Sequence, residues 1–441
     1  DRWGRTYECF SDDPQLVSEL GAAAIAGWQG NQLSDAGSVL ACAKHFLADG
    51  GTLDGHDQGN AICDEATLRE MFLPPYGAAV KAGAGSIMVS YSSWNGKKMH
   101  GNKYLITDVL KGELGFKGFV VSDWAAIDQL GPDYKADVEA SINAGLDMIM
   151  IPYGPGYTNN YVGFINDLTE LVHEGKVPPA RIDDAVRRIL TVKFQMGLFK
   201  DPAVDPALTA AIGSAQHRAV ARECVRQSLV LLKNGNAILP LSRSMKHLAV
   251  VGRAADDIGL QCGGWTISWQ GAPGKMTHGG TTILEGVRAA APAGCEVVYS
   301  PDGSNVKGAD AAVVVVAVGV VLRRRHRRAH DLVAVATDVL VWIIGPLLIV
   351  LLVARLPGGL STFDLFHDGE NLVPATAIRP ATSSEKRRNT SYSARASSAA
   401  VGSSRINSCA SRRNARASAI FCHSPPDSAT PPSKRLPSSC W

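Results

Sequence analysis

Short, almost uninterrupted apolar runs constrain this chain more than any other feature of its sequence. Four such runs, each too short for a helix, lie at 39–43, 86–90, 119–122 and 148–151. Segments with helical periodicity alternate with these runs or follow them, at 65–81 with an interruption at Pro74-Pro75, and at 105–113, 133–144, 162–174 and 179–195. Alternation of fully buried strands with helices is typical of a parallel α/β sheet, either closed into a barrel or open.

The residues that follow the first three runs decide between these two forms. They are Lys44 and His45, then Tyr91, then Asp123 and Trp124. A (β/α)8 barrel builds its active site from the carboxyl ends of several strands, whereas an open doubly wound sheet concentrates its site at one switch point. The pattern therefore predicts a partial (β/α)8 TIM barrel over 1–200. Because such a barrel needs about 250 residues, we expect its first strands to precede the start of this chain, which shows no signal peptide.

A second α/β unit follows a linker at 201–215 that contains two Asp-Pro pairs. We predict that this unit, 216–319, is a partial α/β sandwich. Its expected strands lie at 247–252, 296–300 and 311–318, and its expected helices at 215–232 and 282–290.

The balance of charge reverses where that unit ends. Residues 320–441 carry 17 Lys and Arg against 7 Asp and Glu, whereas residues 1–319 carry 27 against 34. The acidic part argues against a nucleic-acid partner. The basic part ends in a Ser- and Arg-rich stretch without periodicity, so we predict a disordered or non-native tail. Its uncharged segment 339–354 is shorter than the roughly 20 residues of a membrane span, and membrane association stays open as an alternative.

Several residue types suggest chemistry, although each also has a purely structural interpretation. Asp123 at a strand end suits nucleophilic attack on an anomeric carbon, or caps the next helix. Lys44 and His45 can act as donors that orient hydroxyl groups. Alternatively, Lys44 is only a surface lysine and His45 only a core histidine. Arg5 can be a bidentate donor to a ligand, or is only a solvated arginine. Tyr91 can hydrogen-bond the Asp123 carboxylate, or only satisfies a backbone group. The nine cysteines have no metal-type spacing, and we predict neither a metal nor an organic cofactor.

An ordered set of motifs points to one family. The set comprises Asp1-Arg2-Trp3-Gly4-Arg5-Thr6-Tyr7-Glu8, Lys44-His45-Phe46, Met88-Val89-Ser90-Tyr91, Ser122-Asp123-Trp124, and Gly263-Gly264-Trp265 followed by Trp269. Together these motifs resemble glycoside hydrolase family 3, in particular its exo-β-1,3/1,4-glucanases and β-glucosidases, over about 1–319. The resemblance implies a barrel plus an α/β sandwich, with the active site between them, and a β-glucan or β-glucoside substrate. It also implies a periplasmic or secreted location.

The resemblance implies roles for individual residues as well. Asp123 would be the nucleophile of a retaining exo-acting β-glucosidase. The terminal glucose would be lined by Arg5, Lys44, His45 and Tyr91. A hydrophobic clamp beyond it would be formed by Trp124, Trp265 and Trp269.

The acid/base of this subgroup has no counterpart in the sequence. The family places a Glu shortly after the strand that 311–319 matches, and no similar stretch follows here; nothing around Glu370, the nearest downstream Glu, matches. We therefore leave the acid/base unassigned and expect impaired activity. Two alternatives remain open. One is a β-N-acetylglucosaminidase of the same family that uses His56 with Asp54. The other is a non-catalytic, membrane-associated, carbohydrate-binding remnant.

Overall fold

The computed structural model describes residues 3, 5–235, 237–319, 339–344 and 347–355. The chain is mixed α/β. It divides into two compact units, whose described parts lie within 3–222 and 223–355.

Helices surround a small central sheet in the first unit. The α-helices are α1 (Pro14–Gln29), α2 (Glu65–Thr67), α3 (Pro74–Lys81), α4 (Tyr134–Ala144), α5 (Tyr161–His173) and α6 (Pro179–Gln195). Two π-helices span Leu68–Phe72 and Tyr104–Glu113, and 3-10 turns lie at Thr6–Glu8, Asp49–Gly51, Leu53–Gly55, Met99–Gly101, Ala126–Gln129 and Pro206–Ala211. The helices predicted at 133–144, 162–174 and 179–195 are confirmed to within one residue at each end.

The interruption expected at Pro74-Pro75 is confirmed, whereas parts of two predicted helices are π-helical rather than α-helical. The segment 65–81 is divided into α2, the first π-helix and α3, which begins at Pro74 because a proline fits the first helical position. The segment 105–113 is π-helical rather than α-helical. Periodicity alone does not separate these two forms.

Helix α1 was not predicted, because its middle is rich in small residues and the contrast between apolar and polar faces is weak. Its start is nevertheless encoded locally. The Asp13 carboxylate accepts hydrogen bonds from the backbone N–H groups of Gln15 and Leu16, and Pro14 occupies the first helical position.

The central sheet is parallel and contains β1 (Cys42–Phe46), β3 (Ser86–Val89) and β6 (Phe119–Val121), in the order β1-β3-β6. Cys42 pairs with Ser86, which in turn pairs with Phe119. Its buried side chains, among them Phe46, Ile87 and Val120, belong to the largest apolar core of the unit. Parallel pairing of these three segments confirms the expected parallel sheet.

The first predicted strand is displaced along the chain. We expected it at 39–43, but the ladder covers Cys42–Phe46, so Lys44 and His45 lie inside the strand rather than after it. The reason is a competing set of hydrogen bonds. The backbone N–H of Val39 donates to the Trp28 carbonyl, and that of Ala41 donates to the Gln29 side chain.

The fourth predicted strand, 148–151, is reduced to one isolated parallel bridge between Val121 and Met148. Its backbone groups bond to the loop after β6 instead of extending a ladder. The Met148 carbonyl accepts from the Ser122 N–H, and the Met150 N–H donates to the Ser122 hydroxyl at 2.7 Å.

A second, small sheet contains β2 (Asn60–Ala61), β4 (Ser93–Trp94) and β5 (Lys97–Lys98). Strands β4 and β5 form a hairpin that turns at Asn95-Gly96, where φ is 47° and 86°. Positive φ at both central residues defines a type I′ turn, for which Asn-Gly is the favoured pair. This hairpin leads directly into the 3-10 turn Met99–Gly101.

The second unit is built on a six-stranded sheet in the order β7-β11-β12-β10-β8-β9. Its strands are β7 (Val230–Leu231), β8 (His247–Val251), β9 (Glu296–Ser300), β10 (Ala311–Gly319), β11 (Val339–Ile344) and β12 (Leu347–Arg355), and its helices are α8 (Ile258–Cys262) and α9 (Ile283–Ala290). The expected strands at 247–252, 296–300 and 311–318 are confirmed, as is the helix at 282–290. The helix expected at 215–232 is shorter, since α7 covers Ala215–Ser228 and β7 follows.

The described parts of the apolar segment 339–354 form the strands β11 and β12. Strand β12 pairs antiparallel with β10 and with β11. Within the described residues, the search for a helix long and apolar enough to cross a bilayer found none. The remaining predictions for 320–441, including Glu370 and the disordered tail, lie outside the described residues.

Candidate functional site

Asp123 and His45 form the centre of the candidate site in the first unit. The His45 Nε2 atom lies 3.6 Å from Asp123 Oδ2, and the two side chains are 3% and 14% exposed. His45 projects from β1, and Asp123 follows β6, so the pair converges across the intervening strand β3. The structure therefore brings together two residues that the sequence placed at the same edge of a parallel sheet.

The other side of the His45 ring faces a second carboxylate. Its Nδ1 atom lies 2.8 Å from Asp49 Oδ2. The Asp49 Oδ1 atom is buried and has no hydrogen-bond partner among the described residues. Asp49 therefore holds the imidazole in one orientation, with Nε2 directed toward Asp123.

A cluster of charges surrounds this pair. The Arg5 guanidinium donates to both carboxylate oxygens of Glu8, at 2.6 and 3.0 Å, and its Nη2 atom lies 3.2 Å from His45 Nε2. The Lys44 ammonium lies 3.3 Å from the same Glu8 carboxylate. Burial alone would lower the pKa of Arg5, but the hydrogen bond and the charge of Glu8 outweigh it and raise the pKa. Arg5 is thus held as a cation beside His45, and Lys44 shares its Glu8 partner.

The backbone of Asp123 is fixed by its neighbours. Its N–H donates to Nε2 of His100 at 3.0 Å, and its carbonyl accepts from the Ser122 hydroxyl at 2.9 Å. Asp123 Oδ1 accepts the N–H of Trp124 at 2.7 Å. That bond leaves Oδ2 as the oxygen that faces His45. The helix-cap interpretation of Asp123 is wrong, because Ala125 flanks the next helical turn, Ala126–Gln129, and no side chain among the described residues caps it.

Tyr91 contacts the site through the backbone. Its hydroxyl donates to the carbonyl of Trp124, whereas the sequence suggested a bond to the Asp123 carboxylate. Burial, and secondarily the charge of Asp123, raise the pKa of Tyr91. The hydroxyl therefore keeps its proton and can remain a donor. Trp124 itself is 36% exposed, as a residue that contacts a ligand would be.

The remaining four candidate residues are all exposed. Asp54 is exposed in the 3-10 turn Leu53–Gly55, where its φ of 56° is left-handed, and His56 directly follows that turn and is also exposed. Trp265 and Trp269 belong to the second unit and are 53% and 45% exposed. A hydrogen bond from the Trp265 N–H to the Trp269 carbonyl, 2.8 Å long, closes the loop that presents both indoles.

Three residues of the site were not predicted from the sequence as functional. Asp49 lies four residues after His45, a spacing that in hindsight could have signalled a partner for the imidazole. Glu8 was part of a recognised motif but had no assigned role. His100 had only the Asn95-Gly96 hairpin signal nearby. Among the described residues, no group of three His, Cys, Asp or Glu side chains could hold a metal ion.

The fold and the site together define an α/β protein with a buried carboxylate–imidazole pair and flanking cations at the carboxyl edge of a parallel sheet. The chain belongs to glycosyl hydrolase family 3. Residues 1–192 match the N-terminal domain of that family, and residues 229–330 match its C-terminal domain. The resemblance inferred from the ordered motifs is thereby confirmed.

Named relatives support this membership. A lysosomal beta glucosidase of Dictyostelium discoideum is 38% identical over 303 residues, which are 65% of this chain and 36% of that protein. A periplasmic beta-glucosidase of Salmonella typhimurium is 37% identical over 317 residues, 69% of this chain and 39% of that protein. The crystal structure of an exo-1,3/1,4-beta-glucanase from a Pseudoalteromonas species is 38% identical, with a TM-score of 0.66, and the match covers 76% of this chain and 43% of that one. The chain thus spans less than half of the length of these relatives.

Proposed function

We propose that this chain carries the glycosylation half of a retaining, exo-acting β-glucosidase or exo-β-glucanase, with Asp123 as the nucleophile. The observation that carries the proposal is the Asp123–His45 pair. The Asp123 Oδ2 atom faces the His45 ring in a partly shielded site, while Oδ1 is bonded to the backbone. In a retaining glycosidase a carboxylate attacks the anomeric carbon and forms a glycosyl-enzyme, which water then hydrolyses. Membership of the family and the names of the relatives support β-glucosides as the substrate class.

The flanking groups supply binding and electrostatics in this proposal. Arg5 and Lys44 would donate hydrogen bonds to the hydroxyl groups of a terminal glucose, and the Nε2 atom of His45 would hydrogen-bond a further hydroxyl group. Tyr91 would fix the Trp124 backbone next to the nucleophile. Trp124, Trp265 and Trp269 would stack on apolar sugar faces beyond that glucose.

No residue is assigned as the acid/base. Departure of an activated phenolate or fluoride needs no protonation, whereas departure of a sugar alcohol does. We therefore expect this chain to be glycosylated by activated β-glucosides and to turn over natural glucans slowly. No metal or organic cofactor enters the proposed reaction.

The domain assignment completes the proposal. Residues 1–200 would be part of a (β/α)8 barrel, 201–215 a linker, and 216–319 part of an α/β sandwich. The three parallel strands of the first unit and the parallel β8, β9 and β10 of the second are compatible with this assignment. Location in the periplasm or outside the cell is proposed from the relatives alone.

Covalent trapping tests the proposal directly. The whole chain is incubated with a 2-deoxy-2-fluoro-β-glucosyl fluoride, which forms a slowly hydrolysed glycosyl-enzyme, and is then digested and analysed by mass spectrometry. We expect the label on the peptide that contains Asp123. The Asp123→Ala variant should take no label, while Asp108→Asn, which changes an exposed carboxylate in the same unit, should be labelled normally.

Chemical rescue separates the nucleophile from other roles. Asp123→Ala should cleave 4-nitrophenyl β-glucoside at least about a thousandfold more slowly than the unaltered chain. Azide should partly restore cleavage and give the α-glucosyl azide, since it replaces the missing nucleophile. Undiminished turnover by Asp123→Ala would refute the proposal. Preferential turnover of the β-N-acetylglucosaminide, abolished by His56→Ala, would favour the alternative with Asp54 and His56. Absence of any labelling would favour the non-catalytic alternative.

A further inference from the structure

His100 is buried beside the proposed nucleophile but has no role in the reaction described above. It lies in the 3-10 turn Met99–Gly101, directly after the β4–β5 hairpin, and is 1% exposed. The turn is tied to the residue before β4, because the Met99 N–H donates to the Ser92 carbonyl at 3.1 Å. The imidazole therefore has a fixed position rather than a choice of surface rotamers.

The hydrogen bond between His100 and Asp123 defines the state of the ring. The donor is the Asp123 backbone N–H, so the accepting Nε2 atom cannot itself carry a proton. A neutral ring then has its proton on Nδ1, and a further hydrogen bond joins the ring to the Ser90 backbone. Because the Ser90 N–H donates to the Phe46 carbonyl at 2.6 Å, His100 connects the ends of β1, β3 and β6.

The surroundings keep this ring neutral. Burial, and secondarily electrostatic repulsion from Lys98 and His45, lower the pKa of His100 to about 3, and the hydrogen bond with the Ser90 backbone only partly opposes this shift. The Tyr91 ring packs against the imidazole, with 6.1 Å between ring centres. Nε2 thus remains an acceptor throughout the acidic and neutral range.

We propose that His100 is a positioning residue for Asp123: as a neutral acceptor it holds the Asp123 peptide, and with it the carboxylate, in the orientation for attack. The proposal rests on the proposed function of Asp123. The Ser122 hydroxyl donates to the Asp123 carbonyl, on the other side of the Asp123 Cα atom, and the Trp124 N–H donates to Oδ1. Removal of the His100 acceptor would leave a backbone N–H unpaired in the site and free the peptide to rotate.

The test compares two substitutions in the whole chain. His100→Leu fills the space without an acceptor, whereas the side-chain oxygen of His100→Gln can reach the position of Nε2. We expect the first-order rate of Asp123 labelling by the fluorinated sugar to fall about ten- to hundredfold in His100→Leu. The concentration for half-maximal labelling should change less than about threefold, since sugar-binding side chains are untouched. His100→Gln should recover most of the rate.

Two results would overturn the proposal. One is a folded His100→Leu variant, by near-ultraviolet circular dichroism, that is labelled at the original rate. The other is equal loss of labelling in both variants, because a positioning role requires rescue by the acceptor.

A measurement on the ring keeps this proposal distinguishable from the proposed function. In the chain labelled with 15N-histidine, the resonance missing from His100→Gln identifies His100 among the 11 histidines. We expect a proton on Nδ1 and no titration between about pH 5 and 8. A proton on Nε2, or titration near the ordinary value, would refute the proposal whatever the activity. If the unaltered chain takes no label although the ring has the expected state, the proposed function fails, and the role of His100 in catalysis fails with it.

Discussion

The Nε2 atom of His45 lies 3.6 Å from Oδ2 of Asp123, and the imidazole is held from behind by Asp49 at 2.8 Å. This carboxylate–imidazole–carboxylate line crosses the parallel sheet from β1 to the loop after β6. An ionised carboxylate can only accept hydrogen bonds and has no proton to donate. The orientation of the His45 ring and the position of its proton therefore decide which of its groups faces a ligand. The line is the basis of the first prediction.

Replacement of Asp49 by Asn should impair the site without unfolding it. The amide has nearly the same shape but no charge, so it no longer fixes the His45 Nδ1 atom as the protonated nitrogen. We expect kcat/KM for 4-nitrophenyl β-glucoside to fall about ten- to hundredfold, the range for loss of one charged hydrogen bond. Asp108→Asn is the control at an exposed position. An unchanged kcat/KM in Asp49→Asn would show that Asp49 does not orient His45.

The ionised Asp137 carboxylate should lower the free energy of unfolding at neutral and alkaline pH. Burial, together with the charges of Asp128 and Asp133, raises the pKa of this carboxyl to about 6. Between about pH 4, the ordinary value, and pH 6 the folded state binds more protons than the unfolded state, so stability falls as pH rises.

Asp137→Asn should therefore raise the free energy of unfolding at about pH 8 by on the order of 1 kcal/mol, after allowance for solvent screening. The gain should shrink as the pH falls through 6 and vanish below about pH 4. Urea denaturation at about pH 8 and below about pH 4 measures this gain in the free energy of unfolding, with Glu139→Gln on the same helix as the control. An equal gain at both pH values would mean that the charge of Asp137 is not its cause.

A buried ion pair at the far side of the sheet should contribute more to stability than any surface pair. The Lys111 ammonium lies 2.7 Å from Asp147 Oδ1, with the two side chains 7% and 0% exposed, and Arg181 contacts the same oxygen. Burial lowers the pKa of Lys111, and the charge of Asp147 opposes that shift. The second oxygen of Asp147 accepts the Val120 N–H at 2.8 Å and so anchors the middle of β6.

Asp147→Asn should lower the free energy of unfolding by about 3 kcal/mol, because two cations lose the charge of their shared partner in a buried site. Lys135→Met, which removes an exposed cation from Glu170 and Glu174, should change it little. Denaturant midpoints of the two variants give the comparison. Equal destabilisation by both would contradict the ranking by burial.

Local sequence determined much of this protein. Uninterrupted apolar runs marked β3, β6 and β10 because a strand buried on both faces has little freedom in composition. Asp133 and Thr282 marked the starts of α4 and α9 because a side-chain oxygen satisfies the first free N–H groups of a helix. Asp123 at a strand end and the ordered motifs were sufficient to place the chain in its family.

Only the tertiary structure decided which groups meet. The start of β1 moved because the Gln29 side chain, from a helix that periodicity did not indicate, takes the N–H of Ala41. The approach of His45 to Asp123 depends on a distance across the sheet, and the contact of His100 with Asp123 depends on a separate hairpin, neither of which spacing along the chain encodes. Sequence specifies the residue types and the local elements, since these follow from backbone and burial; hydrogen-bond partners far apart in the chain are selected only when the strand register brings them within about 3 Å.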